Sequence, residues 1–309
     1  QNNMDKIQQI LHLKEKRNAI ILAHYYQDPD IQDIADFMGD SLALAKYAQT
    51  VDADVILFCG VHFMSETAKI LNPTKTVIIP DLDAGCSLAD SASSQEFDSW
   101  IKQHPDHTVI SYINCSAEVK SMSDIICTSS NAETIIKSIP QNQPILFAPD
   151  QLLGKYLAKK TNRELVLWDG FCQVHAIFSL KELIKLKTRH PQAEIIAHPE
   201  CETDILNHAD FIGSTTALIK HTQISDCNEF IIVTEPGVIH QMEKLNPNKT
   251  YIPLANTEGC ACNECPYMRL NTLDKMIQAL ETLQPEIILE DELMRKAKKP
   301  LSRMLELSK

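Results

Sequence analysis

The 309-residue sequence predicts an α/β fold: three small parallel-sheet, three-layer (αβα) domains related by a pseudo-threefold axis around a central site. Three observations lead there. Short apolar runs alternate with stretches of helical spacing, the same order of segments recurs at a fixed period, and a cysteine stands at the end of each recurrence.

The strands come first. "NAIILAH", "DVILFCG", "TVIIP", "HTVISYIN", "PILFAPD", "ELVLW", "AEIIAHPE" and "EFIIVTE" are apolar without alternation, as strands covered on both faces by crossover helices must be. Stretches such as "QDIADFMGDSLALAKYAQ" between them carry helical spacing. With 8 glycines and neither GxGxxG nor GxxxxGK[ST], the nucleotide-binding α/β folds fit poorly.

The repeat follows from setting segments beneath one another. "AHYYQDPDIQDIADFMGDS", "SYINCSAEVKSMSDIICTSS" and "AHPECETDILNHADFIGSTT" each run from a polar strand end through a helix to a short strand that ends in hydroxyls. His24 to Ser41, Tyr112 to Ser129 and His198 to Thr215 are each 17 positions apart, and the copies are offset by 88 and then 86 residues. That period is too long for a solenoid and suits a doubly wound unit. The second halves match too, in "ILFCGVHFMSETAKILNPTKTVIIP", "ILFAPDQLLGKYLAKKTNRELVLWD" and "IIVTEPGVIHQMEKLNPNKTYIPLA".

Each copy then reaches cysteine: Cys86 in "DAGC", Cys172 in "DGFC", and Cys260, Cys262 and Cys265 in "EGCACNECP". Counting within the repeat favours Cys260 or Cys262 for the third position. One thiol per copy at equivalent loops would place three thiolates around one centre. Three thiolates leave a tetrahedral zinc or one iron of a cubane iron–sulfur cluster open to substrate. Cys59, Cys115, Cys127 and Cys227 sit among apolar or small residues and read as packed thiols.

Composition narrows the partners. A net charge of −12 without a basic stripe argues against nucleic acid and for small molecules. No apolar run is long enough to span a bilayer and the first residues lack a signal-peptide core, so the expected location is cytoplasmic, with thiols kept reduced. The strand-end residues His24, Tyr26, Tyr112, Asn114, His198 and Glu200 lie where open parallel sheets bind ligands. "GDSLALAKYA", "CTSSNAETIIK" and "GSTTALIKH" read as helix N-caps, with Ser41, Thr128, Ser129, Ser214 and Thr215 at or near the first turn. Three such termini facing one centre would bind a small, multiply charged anion.

The sequence resembles the quinolinate synthases. The resemblance rests on "AHYYQDPDIQDIADFMGDSLALA", "CGVHFMSETAKIL", "AGCSLA", "YINCSAEVK", "CTSSNA", "GFCQVH", "AHPEC", "FIGST", "TEPGVIH", "CPYM" and "KKPLSRML", in the family's order over nearly the whole chain. It implies condensation of iminoaspartate with dihydroxyacetone phosphate to quinolinate, with release of phosphate and water, on the route to NAD. It also implies a 4Fe-4S cluster held by Cys86, Cys172 and Cys265, with the fourth iron free to act as a Lewis acid. Glu200 is then expected to be the general acid/base, with Tyr26, Tyr112 and His198 beside it in catalysis. His24, Ser41, Asn114, Ser129, His175, Ser214 and Thr215 would hold substrate. A separate L-aspartate oxidase would be a natural source of the iminoaspartate.

The implied domains are 1–86, 87–172 and 173–270, with 271–309, read as two helices, packing back on the first. Two other readings use the cysteines differently. One is a zinc-stabilised, three-domain small-anion-binding protein without catalysis, with Cys260, Cys262, Cys265 and a fourth ligand such as His240. The other is a thiol redox protein using Cys262 and Cys265, although that CxxC does not open a helix as in thioredoxin-like units.

Overall fold

The computed structural model describes residues 2–257 and 263–309. Twelve strands lie among these residues, in three four-stranded sheets. The first contains β1 (Ala19–His24), β2 (Phe37–Gly39), β3 (Val55–Cys59) and β4 (Thr76–Ile78), ordered β2-β1-β3-β4. The second contains β5 (Thr108–Tyr112), β6 (Ile125–Cys127), β7 (Ile145–Ala148) and β8 (Val166–Leu167), ordered β6-β5-β7-β8. The third contains β9 (Glu194–Ala197), β10 (Phe211–Ile212), β11 (Glu229–Val233) and β12 (Thr250–Pro253), ordered β10-β9-β11-β12. One parallel topology thus occurs three times, as the repeat predicts. In every copy the chain leaves the first strand to one side and returns on the other. The carboxyl ends of β1 and β3, of β5 and β7, and of β9 and β11 are therefore switch points, where such sheets open a crevice.

The chain forms two compact units: Gln1–Trp100 with Ile113–Ile126 and Pro266–Lys309, and Ile101–Tyr112 with Cys127–Cys265. In the first unit, Ile21, Ala23, Leu57, Cys59 and Ile78 project from the sheet against two helices distant in sequence. Helix Asn3–Lys16 supplies Ile10 and Leu13, and helix Leu273–Thr282 supplies Met276, Ile277 and Leu280, both at helical spacing. The segment after the second helix joins the edge of β4, where Ile79 N–H donates to Pro285 O and Ile287 N–H to Val77 O. The last helix, Asp291–Leu307, packs on helices His62–Leu71 and Ala117–Ser121. In the second unit, Ile195, Ala197, Ile231 and Val233 pack with Leu183 and Ile205 from helices Leu180–Arg189 and Thr203–Leu206.

Repeat-related side chains do the same work in different copies. Asp36 accepts the N–H of Ile21, and Asp210 accepts that of Ile195, each at 2.8 Å, tying the loop before the short strand to the first strand. A cation ahead of each fourth strand grips carbonyls at the end of an earlier helix or in the loop just past it. Lys75 donates to Val51 O and Ala53 O; Arg163 donates to Ile136 O, Ile139 O, Pro140 O and Gln143 O; Lys249 donates to Thr222 O and Ser225 O. Unpaired carbonyls at a helix end attract positive charge, and a cation there satisfies several at once. Lys75, Arg163 and Lys249 are 88 and 86 residues apart, the same offsets that separate His24, Tyr112 and His198.

Candidate active site and metal centre

In the second unit, residues from three strand ends and one loop meet. Tyr112 ends β5, Glu200 lies just beyond β9, Thr234 follows β11, and His175 stands on the short helix Gln173–Ala176 that Cys172 opens. Tyr112, His175, His198 and Glu200 are buried. The Tyr112 phenol donates to Glu200 Oε1. His175 Nδ1 is 3.0 Å from Glu200 Oε2 and 3.2 Å from Cys172 Sγ, and its Nε2 is 2.8 Å from Thr234 Oγ1. With the proton on Nδ1 shared toward carboxylate and sulfur, Nε2 accepts from the Thr234 hydroxyl, which fixes the ring. The His198 ring stands 4.6 Å from that of His175.

Burial pushes the Glu200 carboxyl up, but the positive charge that His198 and His175 carry when protonated and the hydrogen bonds from His175 and Tyr112 outweigh it and hold it at about 2. Glu200 is therefore a carboxylate at neutral pH. Asp150, just beyond β7, behaves in the opposite way. Burial and then the Glu200 charge push its carboxyl well up, against bonds from Leu153 N–H and Leu152 N–H, so the two carboxyls are driven in opposite directions. Its Oδ1 caps helix Gln151–Thr161, and its buried Oδ2 has no hydrogen-bond partner among the described residues.

His198 has a backbone role as well. Its Nδ1 accepts the N–H of Glu200 at 3.2 Å, and His24 Nδ1 accepts the N–H of Tyr26 at 3.1 Å in the first unit. An accepting Nδ1 leaves the proton of a neutral ring on Nε2, so both histidines can act as donors to a ligand. His24 and Tyr26 also touch edge to face, with ring centres 4.5 Å apart.

The hydroxyl residues divide. Ser214 caps helix Thr215–Ile224, accepting Ala217 N–H, with Thr215 the first helical residue. Ser41 opens helix Ser41–Ala48, but Asp40 is its cap. Ser129 precedes the cap position of helix Ala132–Ser138, which Asn131 holds without a side-chain bond; Thr128 instead accepts the N–H of Ser130. Asp40 takes the capping role in the first copy, while in the second Asn131 Oδ1 turns back to accept the N–H of Thr128 at 2.6 Å. Asn114 follows β5 on a turn in the first unit, and its side-chain oxygen is buried without a partner among the described residues.

The described cysteines fall into groups. Cys59, Cys115, Cys127 and Cys201 are buried, and burial pushes the thiols of Cys59, Cys115 and Cys201 up, with Glu200 and Asp150 adding to Cys201. Such thiols stay protonated and are poor ligands. Cys227 is half-buried beside Gln192 O and Glu229 O, at the amino ends of the strands. Cys86, Cys172 and Cys265 are half-buried and form no disulfide. Cys86 and Cys172 stand at the N-cap positions of helices Ser87–Asp90 and Gln173–Ala176, and Cys265 N–H donates to Glu235 Oε2 at 3.3 Å. Cys260 and Cys262 lie outside the described residues. The donor atoms of Cys172, His175 and Glu200 lie within 4.8 Å of one another, a set able to hold a metal ion.

Asp150 and Thr234 escape the sequence reading. Their one signal is position, at the ends of "ILFAPD" and "IIVTE".

A thrice-repeated parallel fold with a buried carboxylate–phenol–imidazole group beside a cysteine thiol at its strand ends defines an enzyme of acid–base chemistry with a metal-binding group. Residues 8–306 match the family described as Quinolinate synthetase A protein. The chain is 60% identical over 305 residues to the quinolinate synthase of a Nostoc species, covering 99% of this chain and 94% of that one. It is 60% identical over 304 residues to that of a Synechocystis species (98% and 96% covered) and 58% identical over 309 residues to that of Chloroherpeton thalassium (100% and 96% covered). The chain belongs to the quinolinate synthase family. That membership supports the enzyme rather than the non-catalytic zinc reading. Among the described residues, no helix is long and apolar enough to cross a membrane.

Proposed function

We propose that this chain condenses iminoaspartate with dihydroxyacetone phosphate to form quinolinate, phosphate and water, as a step of NAD biosynthesis in the cytoplasm. The observation that carries the reading is the identity of 60% over 99% of the chain with a relative named quinolinate synthase.

The cofactor that goes with it is a 4Fe-4S cluster on Cys86, Cys172 and Cys265. The donor chemistry fits: these are the described thiols that are neither sealed in a core nor turned to the amino ends of the strands. Bound there, the cluster would supply a Lewis-acidic iron that polarises a substrate oxygen or nitrogen. The division at Cys86, Cys172 and residue 270 belongs to the same reading, each cysteine closing one copy of the repeat.

The protein's own groups handle protons. Glu200, ionised and desolvated, takes a proton from substrate at the oxygen that Tyr112 or His175 releases. Each hydrogen bond that substrate displaces makes the carboxylate more basic. The loaded Glu200 can then return the proton to a departing hydroxyl. The Tyr112 phenol and Tyr26 orient substrate or relay the proton, and His198 serves from its Nε2–H. His24, Ser41, Asn114, Ser129, His175, Ser214 and Thr215 hold phosphate and carboxylates, and such positioning can lower a barrier by about 7 kcal/mol in favourable cases. Iminoaspartate is short-lived, which favours direct supply by an L-aspartate oxidase.

The test is an anaerobic assay of the purified protein with iminoaspartate generated in place and dihydroxyacetone phosphate. The reading expects quinolinate with one phosphate released per molecule; an iron-loaded protein that forms neither would end it.

A further inference from the structure

Lys120, in helix Ala117–Ser121 of the first unit, is fully buried. Its Nζ donates to Ile113 O at 2.9 Å and to Cys115 O at 2.5 Å, approaches Cys115 Sγ at 3.7 Å, and lies 5.6 Å from the centre of the Phe63 ring. Burial pushes the nearby Glu66 carboxyl up, while Lys120 and then His62 pull it down. Glu66 Oε1 also accepts the N–H of Ala117 at 3.4 Å. One buried cation and one buried carboxyl thus brace the loop of residues 113–117.

The gripped carbonyls flank a single residue, Asn114. Cys115 N–H donates to Ile113 O at 2.8 Å, closing a three-residue turn with Asn114 at its apex. The Asn114 side-chain oxygen is buried without a partner among the described residues, although buried polar atoms are nearly always paired. An ammonium taken out of water is costly, and an apolar side chain would fill the same volume without that cost. What the charge does here is hold two carbonyls on either side of an amide whose oxygen has no partner among the described residues.

We propose that Lys120 is a positioning residue for substrate binding: by clamping the carbonyls of Ile113 and Cys115 it fixes the turn that presents the Asn114 amide to substrate. This rests on Asn114 being a substrate-binding residue in the function proposed above. Lys120 acts through Asn114 and does not itself meet the reacting atoms.

The test is a double-mutant cycle on the cluster-loaded enzyme, with Lys120→Met, Asn114→Ala and the pair together, reading kcat, the KM for each substrate, and iron content. Lys120→Met should raise the KM for one substrate about tenfold with iron content unchanged and a smaller change in kcat. The double variant should be no worse than Asn114→Ala alone. Lys120→Gln, which keeps two N–H donors without charge, should recover part of the KM. Additive losses in the cycle, or an unchanged KM with a lowered unfolding temperature, would overturn the proposal. So would failure of both Lys120 variants to fold with full iron, which would make Lys120 a folding residue. A wild type that forms no quinolinate sinks the functional reading itself, an outcome distinct from an active wild type whose KM Lys120 does not affect.

Discussion

The phenol of Tyr112 donates a hydrogen bond to Glu200 across 88 residues of sequence, from the end of one repeat's first strand to the equivalent turn of the next. The pair brings a proton donor and an ionised carboxylate into contact where substrate is expected to arrive. Removing the hydroxyl with Tyr112→Phe should lower kcat by about 10²-fold or more, as loss of a positioned acid–base partner does. Iron content should be unchanged. Steady-state kinetics alongside iron analysis checks both.

The Glu200 carboxyl is held at about 2 against an ordinary value of 4.5. A group whose folded value is depressed contributes stability that is present above its unfolded value and is lost as the pH falls toward the folded one. Glu200 should therefore stabilise the chain fully above pH about 4.5 and progressively less between about 4.5 and 2. Urea unfolding from pH 6 downward, wild type against Glu200→Gln, should show two curves that converge with falling pH in that window.

Asp150 offers the complementary case. Pushed toward its protonated form and with Oδ1 capping a helix, it should tolerate Asp150→Asn with a stability change under about 1 kcal/mol, because asparagine caps nearly as well. Asp150→Leu should cost about 1–2 kcal/mol through the lost cap. Thermal unfolding of the two variants distinguishes a neutral from a charged Asp150, since a charged one would make the asparagine substitution consequential.

The fold was open to sequence reading because its signals are local and repeated. Strands buried on both faces must be apolar runs, and all three short strands β2, β6 and β10 fall where the repeat requires them. Tyr112, Cys172, His175, His198 and Glu200, picked out by spacing and resemblance, lie together in the second unit. The roles of Asp150, Thr234 and Lys120 come from burial and from partners distant in sequence, and "APD", "VTE" and "EVK" carry no mark of them. The caps show the same limit locally: Ser41 and Asp40 are adjacent, and only the backbone decides which of them accepts the Ala43 N–H.

The helix-end cations should matter for stability rather than turnover. Arg163 is buried and satisfies carbonyls of Ile136, Ile139, Pro140 and Gln143. Arg163→Met should cost about 3 kcal/mol by leaving several of them without a donor. The loss should appear as a lower unfolding midpoint with KM unchanged.

The cysteine assignment separates three thiols from the rest. Cys86→Ala, Cys172→Ala or Cys265→Ala should each abolish assembly of the cluster, whereas Cys227→Ser, turned to the amino ends of the strands, should leave it intact. Iron and sulfide analysis after anaerobic purification reads the difference directly.

The most direct test of the account compares anaerobically purified wild type and Glu200→Gln, matched for iron, in quinolinate formation from iminoaspartate and dihydroxyacetone phosphate. The account predicts quinolinate from the wild type and a loss of about 10²–10⁴-fold in kcat from the variant. Equal turnover by the two proteins, or no quinolinate from an iron-loaded wild type, would contradict it.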